Sequence, residues 1–275
     1  MNNINLYSKY LDDKHKKIDV VTTGYSNIDG YMAYGGMQRQ FCLVIPGKSG
    51  IGKTYFVLCP MLRLAEEGKR VLFFSLEMAY DVIMDRFHQV ILEVHLSELR
   101  EYIQKNEKEV IKKLNEIKFL DNLLILDGVY DIAMMEKIIQ TEKPDVIFID
   151  HLHLIRTKYI DIFKKTTYLM EEITRLKKQY NTRFVVLVQI KRSDDFNETN
   201  SKIPSLEAGK GSGAVEELCD MALCVARPDV DPHCEHGRKN LIVGLIRKNR
   251  FPSPELMSEL QWRYDRTTGR LTEII

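Results

Sequence analysis

Short, continuously apolar runs alternate along this chain with longer stretches whose apolar residues recur every three or four positions. Residues 41–45, 71–74, 123–126, 146–149 and 184–188 form the short runs. They are too uniformly apolar to leave one face in water, so they predict strands buried on both faces. The stretches between them predict helices. One runs from Lys53 to about Glu67 and is stopped by Gly68, with Pro60 expected to interrupt and kink it. Others start near Tyr80, span about 97–118, and cover about 132–140 and 164–180. The last of these places Leu169, Ile173 and Leu176 on one face. After about Leu218 the rhythm changes. Residues 221–225, 241–246 and 260–264 read as successive strands with no long helix between them, extending the same sheet. The expected class is α/β: a mostly parallel sheet with helices on both faces and a C-terminal strand extension. Residues 22–36 form a turn-rich lead-in. Ile4, Tyr7, Tyr10 and Leu11 lie at helical spacing in a short segment of residues 1–20, ahead of one domain spanning 21–275.

Composition changes this picture little. Apolar residues make up 44% of 275 positions, enough for a full core, and the net charge of +1 excludes a broadly basic coat. It leaves room for local nucleic-acid contacts. The five cysteines are an odd number, and Cys42 and Cys59 sit inside apolar runs, as buried thiols of a reducing compartment do. No apolar run approaches a membrane span and no signal peptide is present, so the expected location is cytoplasmic, with no membrane partner. His233, Cys234 and His236 lack a fourth ligand and a zinc-site spacing, and read as a polar loop between strands.

The chemistry is concentrated at the ends of the predicted strands. Gly47, Lys48, Ser49, Gly50, Ile51, Gly52, Lys53 and Thr54 spell a complete G-x-x-x-x-G-K-T phosphate-binding loop, between a strand and a helix as that loop requires. Its backbone N–H groups would cradle a polyphosphate. Lys53 would reach the β- and γ-phosphates, and the Thr54 hydroxyl would ligate Mg²⁺. Asp150 closes an apolar run in the manner of a Walker B aspartate and is the second Mg²⁺ ligand. Glu77, just past the second strand, is the candidate to polarise an attacking water; a dipole-favoured glutamate at a helix N-terminus is the competing reading. Gln189, at the end of the fifth strand, is a candidate γ-phosphate sensor, or simply a polar strand end. These residues imply ATP or another NTP, with Mg²⁺.

In this order the segments resemble the motor domain of DnaB-type replicative helicases, the superfamily 4 branch of RecA-like ATPases. Thr23-Gly24-Tyr25 with Ile28-Asp29 is similar to the family's entry motif. Phe74-Ser75-Leu76-Glu77-Met78 with Met84-Asp85-Arg86 resembles the segment that supplies the catalytic glutamate. Asp150-His151-Leu152-His153-Leu154 resembles its Walker B block, although an aromatic more often follows the aspartate. Val188-Gln189-Ile190-Lys191-Arg192 resembles its sensor segment. The run 210–216 with Asp220 is similar to the loop that tracks a single strand, with Lys210 where arginine is common and Gly211 where an acidic residue is common. Arg247-Lys248-Asn249-Arg250-Phe251 is similar to the segment bearing a trans-acting arginine finger, here Arg250 with Lys248 beside it. With Gln261-Trp262-Arg263-Tyr264 downstream, the version is closer to phage or mitochondrial members.

The resemblance implies a RecA-like P-loop NTPase core and a ring-forming homo-oligomer, a hexamer, with nucleotide at subunit boundaries. It implies single-stranded DNA held by Arg192, Lys210, Gly211 and Gly213, and a separate primase or helicase loader as partner. It also implies that residues 4–15 dock on an adjacent subunit. The alternative is a RecA-fold ATPase that remodels protein–DNA complexes without unwinding. A mere binding module does not need Lys53, Glu77, Asp150 and Arg250 together.

Overall fold

The computed structural model describes residues 18–190, 203, 212–230, 238–254 and 258–274. Its frame is a nine-stranded sheet. Strands β3 (Cys42–Lys48), β4 (Val71–Ser75), β5 (Leu123–Asp127), β6 (Val146–Asp150), β7 (Arg183–Ile190) and β8 (Met221–Ala226) pair in parallel, in the order β8-β3-β7-β6-β4-β5. Three antiparallel strands continue the sheet beyond β8: β9 (Leu241–Asn249), β10 (Leu260–Tyr264) and β11 (Leu271–Ile274). The expected extension is therefore present, with β11 as an addition. Two short strands, β1 (Val20–Val21) and β2 (Met37–Gln38), form a small ribbon in the lead-in.

Side-chain parity explains the layering. In β3, Leu43 and Ile45 face one cluster and Cys42 and Val44 the other. The first cluster is closed by α2 (Lys53–Glu66) and α3 (Tyr80–Leu92), through Phe56, Val57, Ile83 and Phe87. The second is closed by α6 (Ile132–Glu142), α7 (Ile162–Gln179) and α8 (Ser212–Leu218), through Met135, Leu169, Ile173 and Val215. A one-turn helix, α1 (Ser26–Asp29), brings Tyr25 and Ile28 into the first cluster.

Three local expectations need correction. The stretch 97–118 is not one helix. It folds as α4 (Leu99–Lys105) and α5 (Glu107–Glu116), divided at Asn106, whose side-chain amide donates to the Tyr102 carbonyl at 2.9 Å. Strand β5 lies at the sheet edge, so its apolar run is only partly buried, and Leu124 is 36% exposed.

Pro60 does not interrupt α2, which runs unbroken through it. Proline has no N–H for the carbonyl four residues earlier, that of Phe56. The buried Tyr25 hydroxyl donates to this carbonyl at 2.8 Å, standing in for the missing backbone donor. The helix thereby ties the lead-in to the phosphate-loop element.

Cys42 and Cys59 are buried free thiols, as their apolar surroundings in sequence suggested, and so are Cys219 and Cys224. No helix of the described residues is long and apolar enough to cross a membrane. Residues 4–15, Arg192, Lys210, Gly211, and the His233, Cys234 and His236 cluster lie outside the described residues.

Candidate nucleotide site

Parallel pairing brings four sequence-distant strand ends to one rim, where open α/β sheets bind ligands. Gly47 pairs with Gln189 across β3 and β7, and Ser75 with Asp150 across β4 and β6. The connection after β4 stays on this rim because the Asp150 carbonyl accepts from the N–H groups of Leu76, at 2.8 Å, and Glu77, at 3.1 Å. Glu77 thus lies before α3, which begins at Tyr80, and does not occupy that helix's N-terminus. Its side chain is half exposed to the cleft, with one carboxylate oxygen 4.0 Å from His151 Nε2.

The phosphate loop is folded as the octapeptide demands. Gly52 precedes α2 at φ +92°, a left-handed conformation that favours glycine. A Cβ at Gly47 would lie 2.6 Å from Ile51 Cδ1 and 3.2 Å from Lys53 Cδ, so a larger residue would push the loop apart. Lys53 is buried and donates from Nζ to the carbonyls of Gly47, at 2.9 Å, and Lys48, at 2.8 Å. The Thr54 hydroxyl donates to Asp150 Oδ2 at 2.6 Å. Asp150 Oδ1 is buried and has no hydrogen-bond partner among the described residues.

These groups occupy a cleft of about 240 Å³, lined by residues 49–54 together with Glu77, Asp150 and Gln189. Burial is the main cause of the charge shifts within it. It pushes the Asp150 carboxyl above its ordinary value, helped by nearby Glu77 and opposed by the Thr54 hydrogen bond, Lys53 and Arg86. It pulls the Lys53 ammonium below its ordinary value, opposed by Asp150 and Glu77. An anionic phosphate would complement the buried ammonium. A divalent cation would complement the buried carboxylate and its unpartnered oxygen. The side-chain oxygens of Thr54 and Asp150 are hard ligands of the kind Mg²⁺ takes, so the residues fit that ion.

Sequence patterning did not identify a second part of the cleft. Tyr55, Arg86, Arg227, Ile242 and Tyr264 also line it. The Arg86 guanidinium sits 4.7 Å from the Tyr55 ring centroid, Tyr55 lies 5.4 Å from Tyr264, and Arg227 is 5.4 Å from the Tyr264 ring. Cation, ring, ring and cation form a row along one wall. Arg86 carried a local signal, standing in the quoted Met84-Asp85-Arg86 run, three residues after the buried Ile83, next to the buried Phe87 and four before the buried Val90 of α3. Tyr55 directly follows Thr54 in α2 and Tyr264 ends the quoted 261–264 run, but neither they nor Arg227, just past β8, nor Ile242 of β9 were marked by the sequence as lining one wall.

Lys248 and Arg250 are not in this cleft. Leu43 pairs with Met221, and Met221 with Asn249, so both cations lie beside the start of β3, whereas the loop follows its end. Residues 42–46 of β3 separate the two, roughly 17 Å at the usual strand rise. That exceeds the reach of an arginine side chain, and Arg250 cannot act on its own phosphate loop. Gly213 is exposed in α8.

Comparison with known proteins agrees with this arrangement. The family model described as "DnaB-like helicase C terminal domain" matches residues 20–267. A "Probable plasmid replicative DNA helicase" of Chlamydia psittaci is 27% identical over 268 residues, covering 93% of this chain and 56% of the relative. The chain spans about half the length of the curated relatives it matches. Among solved structures, a DnaB-like replicative helicase described with its interactions with primase superposes with a TM-score of 0.80. It is 18% identical, with 98% of this chain and 66% of that chain covered. A KaiC-like protein of Pyrococcus horikoshii shares the fold at a TM-score of 0.62 and 14% identity, covering 94% of this chain and 100% of that one.

Proposed function

Because the chain belongs to the DnaB-like helicase C-terminal domain family, we propose that it is the motor of a ring-forming, NTP-driven helicase that translocates on single-stranded DNA in replication. The observation that carries this reading is the buried Asp150 carboxylate. One of its oxygens is held by Thr54 and the other is left without a partner, on the same rim as Lys53 and Glu77. Held by Thr54 and Asp150, Mg²⁺ would supply neutralisation of the charge on the β- and γ-phosphates. The N–H groups of residues 47–54 bind the polyphosphate of ATP or another NTP, and Lys53 exchanges its loop carbonyls for phosphate oxygens. Glu77 orients a water and accepts its proton. Gln189, beside Gly47, is placed to respond to the γ-phosphate. The row of Tyr264 and Arg227 offers a flat cationic surface to a nucleobase, without base-specific hydrogen bonds.

The finger works in trans on this reading. Arg250 and Lys248 face a neighbour's nucleotide and neutralise charge developing on its γ-phosphoryl; such a finger is typically worth about 10³ to 10⁵ in rate. The functional unit is then a closed homo-oligomer, a hexamer, in the cytoplasm, with a separate primase or loader as partner. Arg192, Lys210, Gly211 and Gly213 contact DNA phosphates, so binding is salt-sensitive with little base preference.

The rival reading is an ATPase that remodels protein–DNA complexes without unwinding. The likeness to a KaiC-like fold is compatible with it, because fold alone does not carry function; the family match favours the helicase. A forked-duplex strand-displacement assay separates the two. The expected result is ATP-dependent displacement that Lys53→Ala abolishes. Hydrolysis stimulated by single-stranded DNA but with no displacement would hand the site to the remodelling class.

A further inference from the structure

Asp220 is 3% exposed and carries more partners than any local turn requires. Its Oδ2 accepts the Cys42 N–H at 2.9 Å and is ion-paired with Lys177 Nζ from α7. Its Oδ1 accepts from Arg250 Nη1 at 2.8 Å. The Asp220 carbonyl also accepts the Arg250 N–H, at 2.8 Å, so main chain and side chain of Arg250 are both referred to this residue. Lys177 is itself almost wholly buried, and its ammonium serves no exposed surface. A buried lysine on a buried aspartate costs desolvation energy, and a well-packed apolar pair of the same volume would often serve stability as well. Such a pair is therefore worth explaining by what else it holds.

Here it holds one edge of a guanidinium. Arg250 Nη2 donates to the Glu217 carbonyl at 3.1 Å, so a carboxylate and a carbonyl fix the plane of the fork between them. Its side chain stays 45% exposed, which leaves the rest of the guanidinium facing outward. Lys248 is anchored on the same helix end, donating to the carbonyls of Glu216 and Glu217, the latter at 3.0 Å. The two cations are therefore mounted on the C-terminal carbonyls of α8 and on Asp220.

We infer that Asp220, locked from below by Lys177, is a positioning residue for Arg250. It sets the guanidinium plane that this subunit presents to its neighbour's nucleotide. The inference rests on the trans-finger reading. Lys177 fixes the carboxylate, the carboxylate fixes Nη1, and the Glu217 carbonyl fixes Nη2. Losing the carboxylate charge frees the fork to rotate, and misplacement of a reacting group by about 1 Å can cost about a hundredfold in rate.

The test uses Asp220→Asn, which keeps an acceptor for the Cys42 N–H. Because that change strands Lys177 without a counter-charge, the double variant Lys177→Met/Asp220→Asn carries the same test if the single one does not assemble. Nucleotide affinity should stay within about twofold, and DNA-stimulated turnover should fall about a hundredfold. The deciding readout is subunit mixing. The Asp220 variant keeps an intact phosphate loop, so mixing with Lys53→Ala, which keeps an intact finger, should restore hydrolysis. Mixing with Arg250→Ala should restore none, because neither chain then presents a finger. Recovery with Arg250→Ala, recovery with neither, or undiminished turnover of the variant alone would overturn the inference. The control mixture of Lys53→Ala with Arg250→Ala tests the shared site itself. If it fails to recover with mixing confirmed, the trans-finger reading falls first and the positioning role falls with it.

Discussion

At the scale of single residues, the proposed roles separate binding from chemistry. Lys53 and Thr54 are engaged with loop carbonyls and with Asp150, whereas the Glu77 carboxylate makes no hydrogen bond among the described residues and has His151 Nε2 at 4.0 Å. Glu77→Gln keeps the shape and removes the proton-accepting carboxylate. Nucleotide affinity should stay near that of the parent while turnover drops at least about a hundredfold. Titration with a fluorescent nucleotide alongside single-turnover hydrolysis checks both; turnover within a few-fold of the parent would remove Glu77 from the mechanism. A second residue, Asp29, makes a prediction about pH. Burial raises its carboxyl from 3.8 to about 7, opposed by hydrogen bonds from the Thr23 N–H and hydroxyl and reinforced by Glu273 and Glu67. Between those two values the folded chain holds a proton that the unfolded chain has released. Its contribution to stability is therefore full below pH 3.8 and is lost as pH rises through 7. Asp29→Asn keeps an acceptor for the Thr23 N–H and removes the titration. Urea unfolding should show the substitution as more costly at pH 5 than at pH 8, and an equal cost at both would mean Asp29 is ionised in the fold.

Elements are joined by devices that no single element explains. Helix α2 tolerates Pro60 because Tyr25, from the lead-in, donates to the Phe56 carbonyl that proline leaves free. The two residues should be energetically coupled. Tyr25→Phe orphans a buried carbonyl and should cost roughly 1–3 kcal/mol. In a Pro60→Ala background the helix regains its own N–H donor, and the same change should cost distinctly less. A double-mutant cycle by denaturant unfolding measures the difference, and additive costs would show that the hydroxyl does nothing for the proline.

At the scale of the whole molecule, the sheet keeps the phosphate loop and Arg250 at opposite ends, roughly 17 Å apart by strand rise. On the trans-finger reading, a lone subunit holds the nucleotide cleft but lacks the neighbour's Arg250. Hydrolysis per chain should fall steeply on dilution below the assembly concentration, while nucleotide binding by the separated subunits should persist. Turnover measured against concentration, with light scattering on the same samples, checks this. A rate per chain that stays constant through dissociation would place every catalytic group in one subunit.

How much of this was legible before folding depends on how local each determinant is. The phosphate loop was fully legible, because eight contiguous residues specify both its turn and its ligand groups. So were Glu77, Asp150 and Gln189, because an apolar run marks a strand and parallel sheets gather their ligands at strand ends. Length and apolarity alone did not reveal that β5 would be the edge strand. Nor did they reveal that Asn106 would split a charged helix. Strand order is settled by which neighbours compete for each edge, and that competition leaves no mark within one run. The same holds for the row of Tyr55, Arg86, Arg227 and Tyr264 and for the Lys177–Asp220–Arg250 chain. Arg250, Asp220, Arg86 and Tyr264 stood out one by one through the segments they belong to, but members of each group lie about thirty or more residues apart, and no short run of sequence shows that they meet. The sequence by itself determined the loop's fold and which residues stand at the strand ends, because backbone geometry over a few residues is enough to place them. Only the tertiary structure decided which distant charges and rings meet, because contact between remote segments is set by packing of the whole sheet.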